Sequence, residues 1–155
     1  MTPAVGQRDD AGVLNALLLQ PPGKNSLQFA ASYATTLDAQ DAIQDLFTLG
    51  GFLRLSGLER GEISGPHAAL TRLLYYRRVS DSAGGAFNVP VYLGASLEAG
   101  NTWSERGDIS FDSALINGGV FAGFDTPIGP VYLGAGLAEG GRSNYYLFFG
   151  VPQRR

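Results

Sequence analysis

The chain has no cysteine, which excludes a disulfide framework and any thiolate metal site. It has one histidine, His67, too few for a zinc site, so neither metal nor cofactor is expected. Charge is scarce: 16% of residues are Asp, Glu, Lys or Arg, against about 25% in an average soluble domain. Net charge is −3, and no basic patch forms beyond Arg77–Arg78 and Arg154–Arg155, so nucleic acid is not expected as a partner. No run of about 18 apolar residues occurs, which excludes a transmembrane helix. It does not exclude a membrane barrel, whose strands need only about 9–11 residues of alternating character. Residues 1–6 lack a basic n-region and an apolar h-region, so an exported protein with this start is a mature form or a fragment.

What the chain has instead is glycine, 22 of 155 residues and about twice the usual share, together with 7 Tyr and 9 Phe. Low charge with this composition favours β structure in a non-aqueous setting. The last third carries the pattern most plainly. Val131, Leu133, Ala135 and Leu137 form one face of a strand, and Tyr132, Gly134, Gly136 and Ala138 the other. Residues 144–151 repeat it, with Tyr145, Leu147, Phe149 and Val151 against Asn144, Tyr146, Phe148 and Gly150. A period of two marks a strand with different environments on its two sides. The second side holds small and polar residues rather than charges. That suits a wall with lipid outside and a crowded or watery interior.

The same reading predicts strands over residues 12–20, 26–36, 68–79, 88–101 and 111–125, and a short additional strand over residues 3–9. On the strand at 68–79 Leu73 and Tyr75 are placed outward, and Arg72, Leu74 and Tyr76 inward. Turns at 21–25 and 126–130 are short, whereas 80–86 and 102–110 are longer polar loops, the asymmetry expected between the two rims of an outer-membrane barrel. No strand–helix–strand alternation appears, so an α/β fold is excluded. Residues 37–65 break the two-residue period. Residues 38–47 read as a short helix with Asp38 as its N-cap, followed by a glycine-punctuated loop. A loop of this length is usually functional, a mobile surface loop being the plainer alternative.

At the glycine-rich loop the residues meet a known pattern. Leu49-Gly50-Gly51-Phe52-Leu53-Arg54-Leu55-Ser56-Gly57-Leu58, running on to Ile63-Ser64-Gly65-Pro66, resembles the inward-folded loop of the bacterial surface antigen superfamily. That group of outer-membrane barrels includes the barrel-assembly insertase and the two-partner secretion pores. Glu98, Gly100 and Trp103 look like its acidic-x-Gly-x-x-Trp strand motif, and residues 117–136 are similar to its penultimate hairpin. The nearest likeness, covering roughly residues 14–151, is to the C-terminal barrel of patatin-like phospholipases. The resemblance implies a transmembrane antiparallel β-barrel domain over 1–155 with 37–65 as a candidate lumenal plug. It further implies a bacterial outer-membrane location, membrane lipids as surroundings, and a pore, translocation or assembly role. Gly50, Gly51, Arg54, Ser56 and Gly57 make up the loop motif. Tyr145, Leu147 and Phe149 belong to a final strand resembling the one by which barrels are handed to the barrel-assembly machinery.

Two departures shape the expectation. The family's loop carries an Arg where this chain has Ser56, so Glu98 is expected to pair with Arg54 or Arg60, or to be solvated in a wet lumen. Family members usually close 16 strands, whereas this chain supplies about eight. The inward positions Gly94, Ser96, Gly100, Gly119, Gly123, Gly134 and Gly136 are too small to fill an eight-strand barrel. Either the 37–65 loop fills the space, or two chains join through their first and last strands into one barrel of about 16 strands. The homodimer is favoured, because it leaves no unpaired backbone in lipid.

The phospholipase likeness prompts a search for catalytic parts. Gly94-Ala95-Ser96-Leu97-Glu98 ends in Glu and sits mid-strand, so it is no nucleophile turn. His67 reads as a rim or loop residue, and Asp108, Asp112 and Asp125 fall at strand ends. No catalytic residue is assigned and the chain is expected not to be an enzyme. Tyr75, Tyr76, Tyr145, Tyr146, Phe148 and Trp103 fit either core packing or interfacial girdles. The alternative from a different class is a soluble β-barrel or sandwich binding an apolar ligand between its glycine-lined faces.

Overall fold

A computed structural model describes residues 11–19, 25–36, 46–80 and 89–150. Seven strands, β1 (Ala11–Leu19), β2 (Asn25–Thr36), β5 (His67–Ser80), β6 (Val91–Trp103), β7 (Leu115–Thr126), β8 (Gly129–Ala138) and β9 (Arg142–Phe149), form one antiparallel sheet in that order. Two short strands, β3 (Phe47–Leu49) and β4 (Ile63–Gly65), pair with each other as a separate hairpin. The fold is therefore all-β, and each sheet strand but the first and last is bonded on both sides to its neighbours. Among the described residues β1 and β9 each pair on one edge only, so the sheet is open and a closed single-chain barrel is not formed.

The seven strands expected from alternation are the seven of the sheet. The additional strand at residues 3–9 lies outside the described residues, as does most of the expected helix at 38–47. Phe47, the last residue of that helix, is a strand residue here. The strand expected from Phe111 begins only at Leu115. Ser110 accepts the Asp112 amide at 3.1 Å and starts a 3-10 turn over Phe111–Ser113, so a side-chain cap locally outcompetes the ladder.

Register sorts the residues onto two faces. One row runs Leu27, Tyr75, Ala95, Val120, Ala135, Tyr145, and a neighbouring one joins Leu93, Ala122, Leu133 and Leu147. This face is open: Leu93 is 51% exposed, Leu133 49% and Phe149 59%. Leu73 and Tyr75 lie on it as expected, both exposed. The opposite face carries the row Arg72, Glu98, Asn117, Ala138, Arg142 and the row Leu74, Ser96, Gly119, Gly136, Asn144. We call it the inward face, because residues 46–65 lie on it and the buried residues collect there. Leu49, Leu55, Leu58 and Ala68 make one cluster, and Leu53, Leu74 and Phe121 a second. The core of this protein is thus the seam between one sheet face and one loop.

Candidate functional site

The loop owes its shape to four unusual backbone positions. Gly50 and Gly51 have φ of +118° and +107°, in the region that favours glycine, and a Cβ on Gly50 would stand 2.1 Å from the Glu59 carbonyl oxygen. The Gly50 amide donates to the Arg54 carbonyl at 2.8 Å and the Arg54 amide to Gly51 at 2.9 Å, closing a tight turn. Leu53 and Leu55 then sit at φ +59° and +72°. Left-handed backbone costs about 1–2 kcal/mol at such a residue. Burying a leucine contributes about 1.5–3 kcal/mol, and both side chains are buried, Leu55 completely. Packing therefore outweighs the strain, and the loop holds this shape only while it is seated on the sheet.

Seating centres on Glu98, which is 0% exposed. Its Oε2 accepts the Ser56 backbone amide at 2.5 Å; its Oε1 accepts the Ser56 hydroxyl at 2.7 Å and the Ser96 hydroxyl at 2.6 Å. A buried carboxylate is costly unless its lone pairs are used, and here three donors use them. Arg72 stands directly across the ladder from Glu98, close enough for their charges to interact, while its Nη1 donates to the Leu53 carbonyl at 3.0 Å. Beside them Asn117, 1% exposed, accepts the Gly57 amide at 3.0 Å through Oδ1.

The expected pairing of Glu98 with Arg54 or Arg60 is corrected. Both arginines are exposed, and Arg54 donates to the Thr48 carbonyl at 3.0 Å. The alternating left-handed residues turn side chains 53 and 55 toward the sheet, which leaves side chain 54 facing away. Ser56, at the position where the family pattern has Arg, meets Glu98 itself. A solvated Glu98 is likewise not what the burial shows.

Glycine makes this approach feasible. A Cβ on Gly136 would lie 1.9 Å from the Ser56 carbonyl oxygen, and one on Gly57 would lie 2.2 Å from the Ala138 nitrogen. The small inward positions are consequently not a void. Phe121 covers Gly94, Tyr132 covers Gly123, and the loop's Phe52 covers Gly134. Phe52 meets Phe121 edge-on at 5.6 Å and lies 5.8 Å from the Tyr146 ring.

The last strand completes the clamp with three successive inward residues. Tyr146 points its hydroxyl at the Ser56 and Leu58 carbonyls, each 2.6 Å away, and Asn144 Nδ2 donates to Leu58 at 3.3 Å. Arg142 pairs with Glu62. Glu62 also accepts the Glu59 amide at 2.7 Å, and that bond, with the Arg142 guanidinium second, holds its carboxyl below the usual range.

The remaining expected site residues divide. Gly100 shares the inward face with Glu98, and a Cβ there would lie 2.4 Å from the Ala69 carbonyl oxygen. Trp103 does not join them: an odd offset from Glu98 puts it on the other side, where its indole donates to Ser113 Oγ at 2.9 Å. Tyr145, Leu147 and Phe149 line the open face of β9, exposed. His67 is the first residue of β5, buried, with Nδ1 2.7 Å from Thr35 Oγ1.

No protein-family model, curated protein or solved structure matches this chain.

Sequence reasoning missed Ser96, Arg72, Asn117 and Tyr146 as loop anchors. Ser96 was within reach, since it stands two residues from Glu98 on the same strand and so shares its face. The three carboxylates expected at strand ends, Asp108, Asp112 and Asp125, are exposed. Among the described residues no three His, Cys, Asp or Glu side chains converge. Glu98, Ser56 and Ser96 meet where the loop leaves no room for a substrate, so their arrangement acts as a fastening.

Proposed function

We propose that this chain is a wall segment of an outer-membrane β-barrel, with residues 46–65 as its internal plug, serving passage or assembly rather than catalysis. The observation that carries the reading is the inversion of ordinary faces. Aliphatic and aromatic side chains stand exposed on one side of the sheet, while the buried Glu98 and Asn117 and the half-buried Arg72 sit under the loop on the other. In water an open face of that kind has no partner; in hydrocarbon it needs none. The same glycine rows that would line a pocket in a soluble ligand-binding protein are covered partly by the loop, at Gly119, Gly134 and Gly136, and partly by the sheet's own Phe121 and Tyr132, at Gly94 and Gly123, which counts against that alternative on the inward face.

Two copies joined edge to edge close the wall. Open edges in lipid cost several kcal/mol per orphaned backbone group, so β1 and β9 need partners. Seven antiparallel strands leave β1 and β9 running in the same direction. Two copies inserted with the same orientation then meet in parallel. Antiparallel seams call for an even number of strands per copy, as in a ring of about 16 strands. The open face of β9, with Tyr145, Leu147 and Phe149, is the surface offered to barrel-assembly machinery and then to lipid. The surface-antigen likeness of the loop and of the Glu98 strand supports the same reading, and a bacterial outer membrane is the location that this likeness implies.

The test is the state of the purified protein. Folding only in detergent or lipid, heat-modifiable gel mobility and a two-chain mass are the expected results. A soluble monomer in plain buffer would end the proposal.

A further inference from the structure

Phe111 is 99% exposed, yet it stands on a segment tied down on every side. Ser110 caps its 3-10 turn, Ser113 Oγ donates back to the Ser110 carbonyl at 2.9 Å, and the Ala114 amide closes on Phe111 at 3.1 Å. From the sheet, Asn101 Nδ2 donates to the Ser113 carbonyl at 2.6 Å and the Trp103 indole to its hydroxyl. Asn101 and Trp103 share the parity of Leu93 and Leu97 on β6, so the turn is folded back against the open apolar face, not the loop-covered one. A fixed, wholly exposed aromatic side chain at the border of an apolar wall is built to meet something.

We infer that Phe111 is an interfacial anchor, entering a lipid bilayer at the boundary between headgroups and acyl chains and fixing the depth of that rim. This rests on the membrane reading given above and deepens it. Three observations choose lipid as the occupant. The turn is continuous with the apolar face, since Ile116 and Val120 follow it on β7, both exposed. Its neighbours Glu105, Asp108 and Asp112 are exposed, which suits headgroup depth and forbids the hydrocarbon centre. The opposite end of β7 presents a second exposed apolar residue, Ile128, in its turn to β8. The twelve residues of β7 rise about 3.4 Å each, and a tilt of about 40° leaves roughly 30 Å of height, the thickness of a bilayer core. Phe111 and Ile128 thus bracket one membrane thickness.

Because the chain has no cysteine, single labelling sites are clean. Full-length Phe111→Cys, Gly107→Cys and Leu97→Cys, each carrying one environment-sensitive fluorophore, are refolded into dioleoylphosphatidylcholine vesicles containing nitroxide lipids. Gly107 has open space around a Cβ, and the other two side chains are exposed, so none disturbs packing. The label at 111 is expected to lose intensity to the headgroup-level nitroxide and little to the deep one. The label at 97 should do the reverse, and that at 107, among the charged residues at headgroup depth, should lose little to the deep nitroxide. Quenching at 97 without quenching at 111 overturns the anchor and leaves the membrane reading standing. A blue-shifted label at 111 that ignores both quenchers places it against protein and also overturns the anchor. Absence of quenching at 97 defeats the membrane reading, and the anchor with it.

Discussion

Replacing Glu98 by Gln keeps the shape of the side chain and removes its charge, which isolates the fastening from the packing around it. The carboxylate takes three bonds of 2.5, 2.7 and 2.6 Å from Ser56 and Ser96. A hydrogen bond to a charged group contributes about 1.5–3 kcal/mol against about 0.5–1.5 for a neutral pair, so the two bonds that join the loop's Ser56 to it weaken by about 2–3 kcal/mol together, the Ser96 bond lying within β6. Part of this is returned, because a neutral amide is cheaper to bury than a carboxylate. Arg72, left facing a neutral neighbour, takes some of it back. The expected net loss is about 2 kcal/mol in the seating of the loop, equivalent to roughly a 30-fold change in its opening equilibrium. Hydrogen exchange reads that quantity directly at the Ser56 and Gly57 amides, which are bonded to Glu98 and Asn117. Exchange at these two should accelerate by about that factor, while amides in the β2–β5 ladder stay as they were. Unchanged exchange at Ser56 would refute the role given to Glu98. An equal rise throughout the sheet would refute the idea that the loop opens as a unit.

Gly136→Ala should unseat the same loop without touching Glu98, since the added methyl would lie 1.9 Å from the Ser56 carbonyl oxygen; exchange at Ser56 should rise at least as far as with Glu98→Gln, and wild-type behaviour would mean the loop does not lie on β8. Glu62 has a carboxyl held below its ordinary value, so its contribution is present above pH 4.5 and is lost as pH falls through the lower folded value. Acidification below that point should therefore lower the protection of the Glu59 amide relative to its intrinsic exchange rate at the same pH, and Glu62→Gln should remove that pH-dependent loss of protection. Leu97→Arg and Leu133→Arg on the open face should each cost about 2–4 kcal/mol in vesicle refolding if hydrocarbon bathes it, measured by urea titration. A change within about 0.5 kcal/mol, as for ordinary surface substitutions, would mean that water does.

Alternation was readable because it is local: residues 73–76 are apolar or aromatic on both sides, yet the odd positions face outward and the even ones inward, as their strand neighbours require. The same parity rule, applied to an odd offset, places Trp103 away from Glu98. Other features depend on pairings that no local window contains. Arg72 opposite Glu98 is a fact of the register between β5 and β6, and the hold of Tyr146 on Ser56 spans 90 positions. β3 and β4 are three residues each, too short to show a period, and they exist because they pair with one another beside the loop. The left-handed leucines carry no signal at all, since leucine is a poor choice for that backbone and only tertiary packing holds it there.

The inward contacts of the loop are distributed unevenly, and the distribution bears on the seam. Arg72 reaches it from β5, Glu98 (braced by the Ser96 hydroxyl) from β6, Asn117 from β7, and Arg142, Asn144 and Tyr146 from β9. The strand with the largest set of polar ties is thus one of the two that, among the described residues, have a neighbour on a single edge. An edge strand of eight residues frays readily, because half of its backbone groups have no ladder partner. Three side chains bonded to a loop that is itself fastened to β6 and β7 give β9 a second support from the loop-covered face. The loop and the edge strand are therefore one mechanical unit: whatever loosens Ser56 from Glu98 also slackens Tyr146, and with it β9, the strand that in the proposed barrel aligns with a second chain.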